Sequence, residues 1–261
     1  MYFEVSENNN SPIICNVPHS GTVIPEEFKN DFVITEKDLN EEVLYIADNY
    51  TSSLYVELLC ISSSIISKIS RIVLDIERFQ NEEDEPMSKV GMSALYTRTS
   101  NGDILRTISD KNKVALEKIY KEYHDSFTEL VSNSLIKNNV AIIIDCHSFP
   151  SIPRAYEPEQ GTPRPDICIG FEDFHTPREL VEILKHSFEK LGYQVEINTP
   201  FAGSIVPLDY YKKEKRVISV MVEVNRKLYM NEETYEKNKN FTKISKDVSR
   251  SVITSLNQFV K

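Results

Sequence analysis

The chain has 261 residues, and its 30 basic and 40 acidic side chains give a formal net charge of −10. This acidic balance argues against nucleic acid and anionic membrane surfaces as partners. No stretch of 18 uninterrupted apolar residues occurs, which excludes a transmembrane helix, and residues 1–10 lack the pattern of a signal peptide. The four cysteines are widely spaced and are typical of reduced thiols, so we expect a cytoplasmic protein.

Apolar runs and amphipathic stretches alternate along the chain. The predicted strands cover residues 13–17, 70–76, 140–146, 167–171, 193–197 and 217–224. The predicted helices cover about 38–59, 110–138, 176–191 and the stretch from 232 onward. Polar or proline-rich segments at 80–101 and 149–165 are predicted to be loops. This order predicts one α/β domain over residues 1–261, with three layers and a mixed, mostly parallel central sheet between helices.

The ends of two predicted strands carry histidines. In α/β sheets of this kind the ligand crevice lies beyond the carboxyl ends of the strands. His19 follows the first strand, and His147 ends the buried strand that begins at Val140. Neutral imidazole and carboxylate are suitable zinc ligands, and catalytic zinc has three protein ligands. The two histidines together therefore favour a metal site over two turn histidines bonded only to backbone.

Two acidic residues are candidates for the same site. Asp48 is the candidate third ligand, although the pattern alone favours a solvated position on a helix. Glu223 lies inside the apolar run 217–224, so we expect its carboxylate to be buried. A buried glutamate beside a metal-bound water is suited to act as a general base. The alternative for Glu223 is a structural ion pair with a neighbouring basic residue.

Three arginines are candidates for binding an acidic substrate, because a planar guanidinium matches a carboxylate. Arg71 and Arg78 flank a predicted strand, and ordinary salt bridges with residues 82–84 are the preferred alternative for both. Arg154 is a weaker candidate of the same type. His124, on the apolar face of its predicted helix, is expected to be a core histidine. Walker, GxGxxG, HExxH and GxSxG motifs do not occur, so nucleotide binding and serine-esterase chemistry lack support.

Six short blocks resemble the N-formylglutamate amidohydrolase family. In chain order they are Pro18-His19-Ser20-Gly21-Thr22, Ala47-Asp48-Asn49-Tyr50, Ser70-Arg71 with Leu74-Asp75-Ile76-Glu77-Arg78, Asp145-Cys146-His147-Ser148, Asn198-Thr199-Pro200-Phe201-Ala202-Gly203 and Val222-Glu223-Val224-Asn225-Arg226. The resemblance implies a fold similar to zinc carboxypeptidases. It also implies metal-dependent hydrolysis of the amide of an acidic N-acyl amino acid, N-formylglutamate giving formate and glutamate, as in histidine degradation.

The resemblance also implies roles for individual residues. It implies that zinc is bound by His19, Asp48 and His147, that Glu223 is the general acid and base, and that Arg71 and Arg78 bind carboxylates. The chain departs from the family at Glu77, where asparagine is usual, and at Ser204, where a second glycine is usual. Glutamate at position 77 places a negative charge near the suspected anion site.

Two other functions are compatible with the same residues. One is an amidohydrolase or carboxypeptidase-like enzyme that acts on another N-acyl amino acid or on a short peptide. The other is a non-catalytic protein that uses the fold to bind a carboxylate ligand. The complete set of His19, Asp48, His147 and Glu223 speaks against the second, and turnover of an amide would separate the two.

Overall fold

The computed structural model describes residues 1–157, 159–161 and 163–260. The strands in this part are β1 (Phe3–Ser6), β2 (Ile13–Val17), β3 (Ser63–Ser67), β4 (Ala141–Phe149), β5 (Ile167–Gly170), β6 (Val195–Ile197) and β7 (Val217–Asn225). They form one sheet in the order β1-β3-β2-β4-β7-β5-β6. The four strands β3, β2, β4 and β7 are parallel, whereas β1 and the β5–β6 pair run antiparallel to their neighbours.

Helices cover both faces of the sheet. They are α1 (Glu26–Lys29), α2 (Glu36–Ile46), α3 (Thr51–Leu54), α4 (Val56–Leu59), α5 (Asp110–Asn138), α6 (Arg178–Glu189) and α7 (Phe241–Phe259). Helix α5 packs on one face, and α3, α4, α6 and α7 pack on the other. The predicted three-layer α/β fold with a mixed, mostly parallel sheet is therefore confirmed. Within the described residues, none of the helices is both long and apolar enough to cross a membrane.

The alternation of side chains along β4 and β7 decides which face carries the polar residues. Ile144 and Val222 pack on the side of α6 and α7, whereas Ile143 faces α5. His147 lies opposite Glu223 in the parallel register. Because successive side chains point to opposite faces, both residues emerge on the α5 side, at the carboxyl ends of neighbouring strands.

The prediction of a strand over residues 70–76 is wrong. These residues form turns, and the strand that pairs with β2 is β3, at Ser63–Ser67. The run is apolar because Val73, Leu74 and Ile76 pack in the cluster that α5 covers. A short apolar run indicates burial, but it does not identify a hydrogen-bonded strand.

The helix predicted over about 38–59 is three shorter helices, α2, α3 and α4. Thr35 caps α2 by accepting a hydrogen bond from the Asp38 amide, three residues before the predicted cap. The helix is interrupted between α2 and α3, where Tyr50 has a φ of 67°. Asp48 therefore lies in a connection between helices and not within one.

Smaller differences occur elsewhere. The helix predicted from 176 begins at Arg178, because the Thr176 hydroxyl donates to the Ser219 carbonyl and does not cap the helix. The last helix begins at Phe241 instead of 232. Strand β1 was not predicted, and residues 158 and 162 of the predicted loop 149–165 lie outside the described residues.

Candidate active site

His19 follows the carboxyl end of β2, and His147 lies near the carboxyl end of β4. Both histidines are buried, and their ring centroids are 5.1 Å apart. His19 Nε2 is 2.8 Å from Asp75 Oδ1, and His147 Nε2 is 3.0 Å from Asp145 Oδ1. A carboxylate bonded to one ring nitrogen fixes the orientation of the imidazole and is typical of metal-binding histidines. This pairing leaves His19 Nδ1 without a hydrogen-bond partner among the described residues, whereas His147 Nδ1 lies 3.0 Å from Asp48 Oδ2.

Asp48 lies between these two nitrogens. Its Oδ2 is 3.0 Å from His147 Nδ1 and 4.0 Å from His19 Nδ1. Oδ2 also accepts a hydrogen bond from the Ser148 amide, and Oδ1 accepts one from Arg226. Burial opposes the charge on Asp48, but the hydrogen bond and charge of His147, together with the charges of His19 and Arg226, outweigh it and hold the pKa of Asp48 well below its usual range. The structure thus brings together the three residues predicted as ligands.

A second carboxylate, that of Glu77, also faces the histidines. Its Oε2 is 3.1 Å from His147 Nε2 and 3.7 Å from His19 Nδ1, and its Oε1 accepts a hydrogen bond from Asn16. One ligand atom each from His19, Glu77 and His147 lies within 4.8 Å of the others. Burial, and then the charge of Asp145, raise the pKa of Glu77. In the sequence Glu77 stood out only as a departure from the family pattern.

The donor atoms of this centre fit a divalent metal ion. Among the described residues, buried His19 Nδ1 has no hydrogen-bond partner. Two imidazoles with a carboxylate form one of the donor sets that bind zinc, with bonds of about 2.0–2.2 Å. Donors bound to one such ion lie roughly 3–3.5 Å apart. Small side-chain movements would therefore bring the histidines and a carboxylate onto one ion.

Glu223 lies beside His147 and is only 6% exposed. Its Oε2 has no hydrogen-bond partner within the described residues, where no ion pair with Glu223 forms either. Burial raises the pKa of Glu223 to about 8; the charge of His147 opposes this rise and that of Asp48 adds to it. A buried carboxyl group with a free oxygen next to the histidines is placed to exchange a proton with a bound molecule.

The arginines Arg71 and Arg78 meet at Asp75. Arg71 donates to Asp75 Oδ2 through Nε and Nη2, at 3.0 and 2.7 Å. Arg78 lies 3.6 Å from both Asp75 and Glu85, and its side chain is 28% exposed. Both arginines are therefore paired with acids, but these acids are not the residues at 82–84 that the sequence suggested.

Asp75 is the residue of this region that sequence reasoning missed. It is fully buried and accepts hydrogen bonds from Arg71 and from the Tyr96 hydroxyl, in addition to its contact with His19. Burial opposes its charge, but Arg71 and His19 outweigh burial and hold the pKa of Asp75 well below its usual range. In the sequence, Asp75 was marked only by its membership of the block Leu74-Asp75-Ile76-Glu77-Arg78, which resembles the family.

Arg154 and Arg226 lie on the other side of Asp48. Arg226 is buried and donates to Asp48 Oδ1 at 3.0 Å and to the Ser148 carbonyl at 3.2 Å. The Arg154 guanidinium stacks on the ring of Tyr45, with 3.6 Å from its central carbon to the ring centroid. Its buried Nε has no partner within the described ranges.

A cavity of about 550 Å³ lies on the α5 side of Glu77 and Asp145, and its lining does not include His19 or His147. Glu77 and Asp145 line it and also contact His147, so they lie between the cavity and the histidines. Arg78 lines the same cavity. Apolar side chains form much of the remaining wall: Ile76, Ala202, Ile205, Val206, Leu208 and Met221.

Helix α5 fixes the backbone on both sides of Glu77. His124 Nε2 lies 2.8 Å from the Ile76 carbonyl, and the Tyr120 hydroxyl donates to the Arg78 carbonyl at 2.9 Å. Burial lowers the pKa of His124. His124 is therefore partly buried with a backbone partner, and it also lines the cavity.

Comparison with known proteins identifies the family of the chain and solved structures of similar fold. The profile of the N-formylglutamate amidohydrolase family matches residues 11–230. The fold is similar to the crystal structure of N-formylglutamate amidohydrolase from Ralstonia eutropha JMP134, with a TM-score of 0.83 and 20% identity over 98% of each chain. It is also similar to gene product Atu2144 from Agrobacterium tumefaciens, with a TM-score of 0.69 and 16% identity over 100% of this chain and 96% of that one. Curated proteins gave no match. The chain belongs to the N-formylglutamate amidohydrolase family and is a hydrolase that acts on C–N amide bonds.

Proposed function

We propose that the protein is a metal-dependent amidohydrolase that removes the acyl group from an N-acyl amino acid, with zinc as the metal. The observation that carries this proposal is the pair of buried histidines, each bonded through Nε2 to a carboxylate, with Asp48 between their Nδ1 atoms. The family description makes N-formylglutamate the reference substrate, and its products would be formate and glutamate. The four free cysteines support a reducing, cytoplasmic compartment.

His19, His147 and Asp48 would hold the ion. When bound, zinc supplies polarisation of the amide carbonyl and lowers the pKa of a water molecule. Asp75 and Asp145 keep the two imidazoles oriented through their Nε2 atoms. The Ser148 amide and Arg226 fix the Asp48 carboxylate in the same way.

Glu223 would move the proton. Its buried carboxylate would accept a proton from the attacking water and then donate it to the nitrogen of the leaving amine. Burial raises the pKa of Glu223, and the positive charge of a bound ion would oppose this rise and favour the carboxylate form that accepts the proton. Because Glu223 lies opposite His147 in the sheet register, its side chain would lie next to the proposed ion.

The arginines would bind the substrate. Arg78 is partly exposed at the cavity and would bind the α-carboxylate that every N-acyl amino acid carries. Arg71 Nη1 lies 3.9 Å from Asp48 Oδ1, and it would bind a substrate oxygen close to the ion. Arg154, with its unpartnered Nε in the described part of the chain, is the third proposed contact.

A metal-replacement experiment tests the proposal. The purified protein is stripped with a chelator and reloaded with zinc, its metal content is measured by mass spectrometry, and formate release from N-formyl amino acids is followed. We expect one zinc per chain, with activity lost on stripping and recovered on loading. Hydrolysis that is independent of metal would contradict the metal role, and binding of N-formyl amino acids without turnover would favour the binding-protein alternative.

A further inference from the structure

Two carboxylates flank the imidazole of His147. Asp48 Oδ2 lies 3.0 Å from its Nδ1, and Glu77 Oε2 lies 3.1 Å from its Nε2. The same two oxygens lie near His19 Nδ1, Glu77 Oε2 at 3.7 Å and Asp48 Oδ2 at 4.0 Å. By distance alone, each carboxylate is within reach of an ion bound to the two histidines.

Asp48 already has two basic partners. Its Oδ1 accepts a hydrogen bond from Arg226 at 3.0 Å and lies 3.9 Å from Arg71 Nη1. Its Oδ2 accepts a further hydrogen bond from the Ser148 amide. Guanidinium groups therefore balance the charge of Asp48 before any ion binds.

Glu77 lies next to a second acid instead. Asn16 Nδ2 donates to Glu77 Oε1 and to Asp145 Oδ1, each at 2.9 Å, so the two carboxylates are neighbours. Among the described residues, no lysine or arginine forms a salt bridge with either of them, and their charged contacts are with the histidines. Two like charges held together away from solvent repel each other, and a bound divalent cation offsets this repulsion.

An unpartnered nitrogen of His19 faces the same place. His19 is 3% exposed, and its Nε2 is bonded to Asp75. Its buried Nδ1, next to Glu77 Oε2, has no hydrogen-bond partner within the described ranges. One donor atom each from His19, Glu77 and His147 lies within 4.8 Å of the others. A metal ion at this place would satisfy both the nitrogen and the carboxylate that lacks a basic partner.

We infer that Glu77 is a carboxylate ligand of the proposed ion, together with His19 and His147. The inference rests on the proposed function, because it keeps the ion and the histidines of that function and names a further ligand for them. It also gives the departure from the family pattern a chemical consequence. Asparagine at position 77 would present a neutral amide, whereas glutamate adds a negative charge to the ligand set.

The test measures metal binding directly. The protein is stripped with a chelator and then titrated with zinc against a competing chelator, and with cobalt(II), whose visible absorption depends on the atoms that bind it. Glu77→Gln keeps the size of the side chain and should weaken zinc binding at least about tenfold, because even residues that only orient a ligand contribute factors of about 10–100. It should also change the visible spectrum of the cobalt form.

Three further variants complete the comparison. Glu83→Gln removes an exposed acid of the same segment and should keep the affinity and the spectrum of the parent. Asp48→Asn is the reference for loss of the other proposed carboxylate. Glu77→Asn, which introduces the residue usual in the family, repeats the measurement if Glu77→Gln does not fold. The zinc-induced rise in the urea midpoint compares each variant with its own metal-free form, and it should be smaller in the Glu77 variants than in the parent.

Zinc binding by Glu77→Gln at the affinity of the parent overturns the inference. So does weaker binding with an unchanged cobalt spectrum, because Glu77 would then act on the ion only through its charge or through the histidines. If the parent binds neither zinc nor cobalt, the proposed function itself fails, and this outcome is recognised before any variant is compared.

Discussion

The candidate site has two halves that are held in place by different interactions. His147 and Glu223 belong to β4 and β7 in the middle of the sheet, where main-chain hydrogen bonds set their register. Asp75 and Glu77 belong to turns outside the sheet, where side-chain contacts between buried charged groups hold the backbone instead of main-chain hydrogen bonds between strands. Substitutions in the strand half should therefore change chemistry at constant fold, whereas substitutions in the turn half should change the fold as well.

The turn half depends on a short chain of buried polar contacts. Arg106, only 2% exposed, donates to the Tyr96 carbonyl at 2.7 Å and to the Val73 carbonyl at 2.8 Å. Burial lowers the pKa of Arg106 to about 10. The Tyr96 hydroxyl in turn donates to Asp75, which holds both Arg71 and His19. Removing one member leaves the next buried group without its partner.

The largest effect should come from Asp75→Asn. The substitution removes the acid that accepts both hydrogen bonds of Arg71 and leaves only Asp48, at 3.9 Å, as its partner. Breaking a buried pair from one side costs about 3–5 kcal/mol. Urea unfolding should show a loss of this size. Asp84→Asn, at an exposed acid of the same segment, should change the free energy of unfolding by less than about 0.5 kcal/mol. Equal stability of the two variants would show that the turn half does not depend on this ion pair.

The strand half should respond differently. Glu223→Gln should lower kcat by roughly 100-fold or more, the scale for loss of a general base, while zinc content and the free energy of unfolding stay near those of the parent. Steady-state rates, metal analysis and urea unfolding on the same preparations measure all three. Glu196→Gln, at an exposed position of β6, is the control. A variant at position 223 that turns over a confirmed substrate at the parent rate would remove Glu223 from the mechanism.

The same division explains what the sequence could predict. Residues 13–17 and 110–138 were predicted with the bounds that the structure has, because strand and helix periodicities act locally. The strand-end histidines followed from the rule that ligands bind at the carboxyl ends of parallel strands. Residues 70–76 were misassigned because their burial depends on packing under α5, which no local pattern records. The contacts of Asp48 depend on the interruption of the helix before α3. The apolar stripe of the predicted helix continues through this interruption, so the pattern gave no sign of it.

The smallest effect that we expect concerns the contact between His124 of α5 and the Ile76 carbonyl of the turn half. Burial lowers the pKa of His124 below its ordinary value of 6.5, so the folded state favours the neutral ring and the unfolded chain binds a proton more readily. The stability contributed by the neutral ring is complete above pH 6.5 and is lost as the pH falls below that value toward the lowered pKa. The urea midpoint should therefore drop more between pH 7.5 and pH 5.5 in the parent than in His124→Gln, whose amide can still donate to the Ile76 carbonyl but does not titrate. His186→Gln, at an exposed histidine of α6, should keep the pH dependence of the parent. If His124→Gln and the parent lose equal stability over this range, His124 is held by its hydrogen bond alone, and the buried charges of the turn half would carry the whole acid sensitivity of that region.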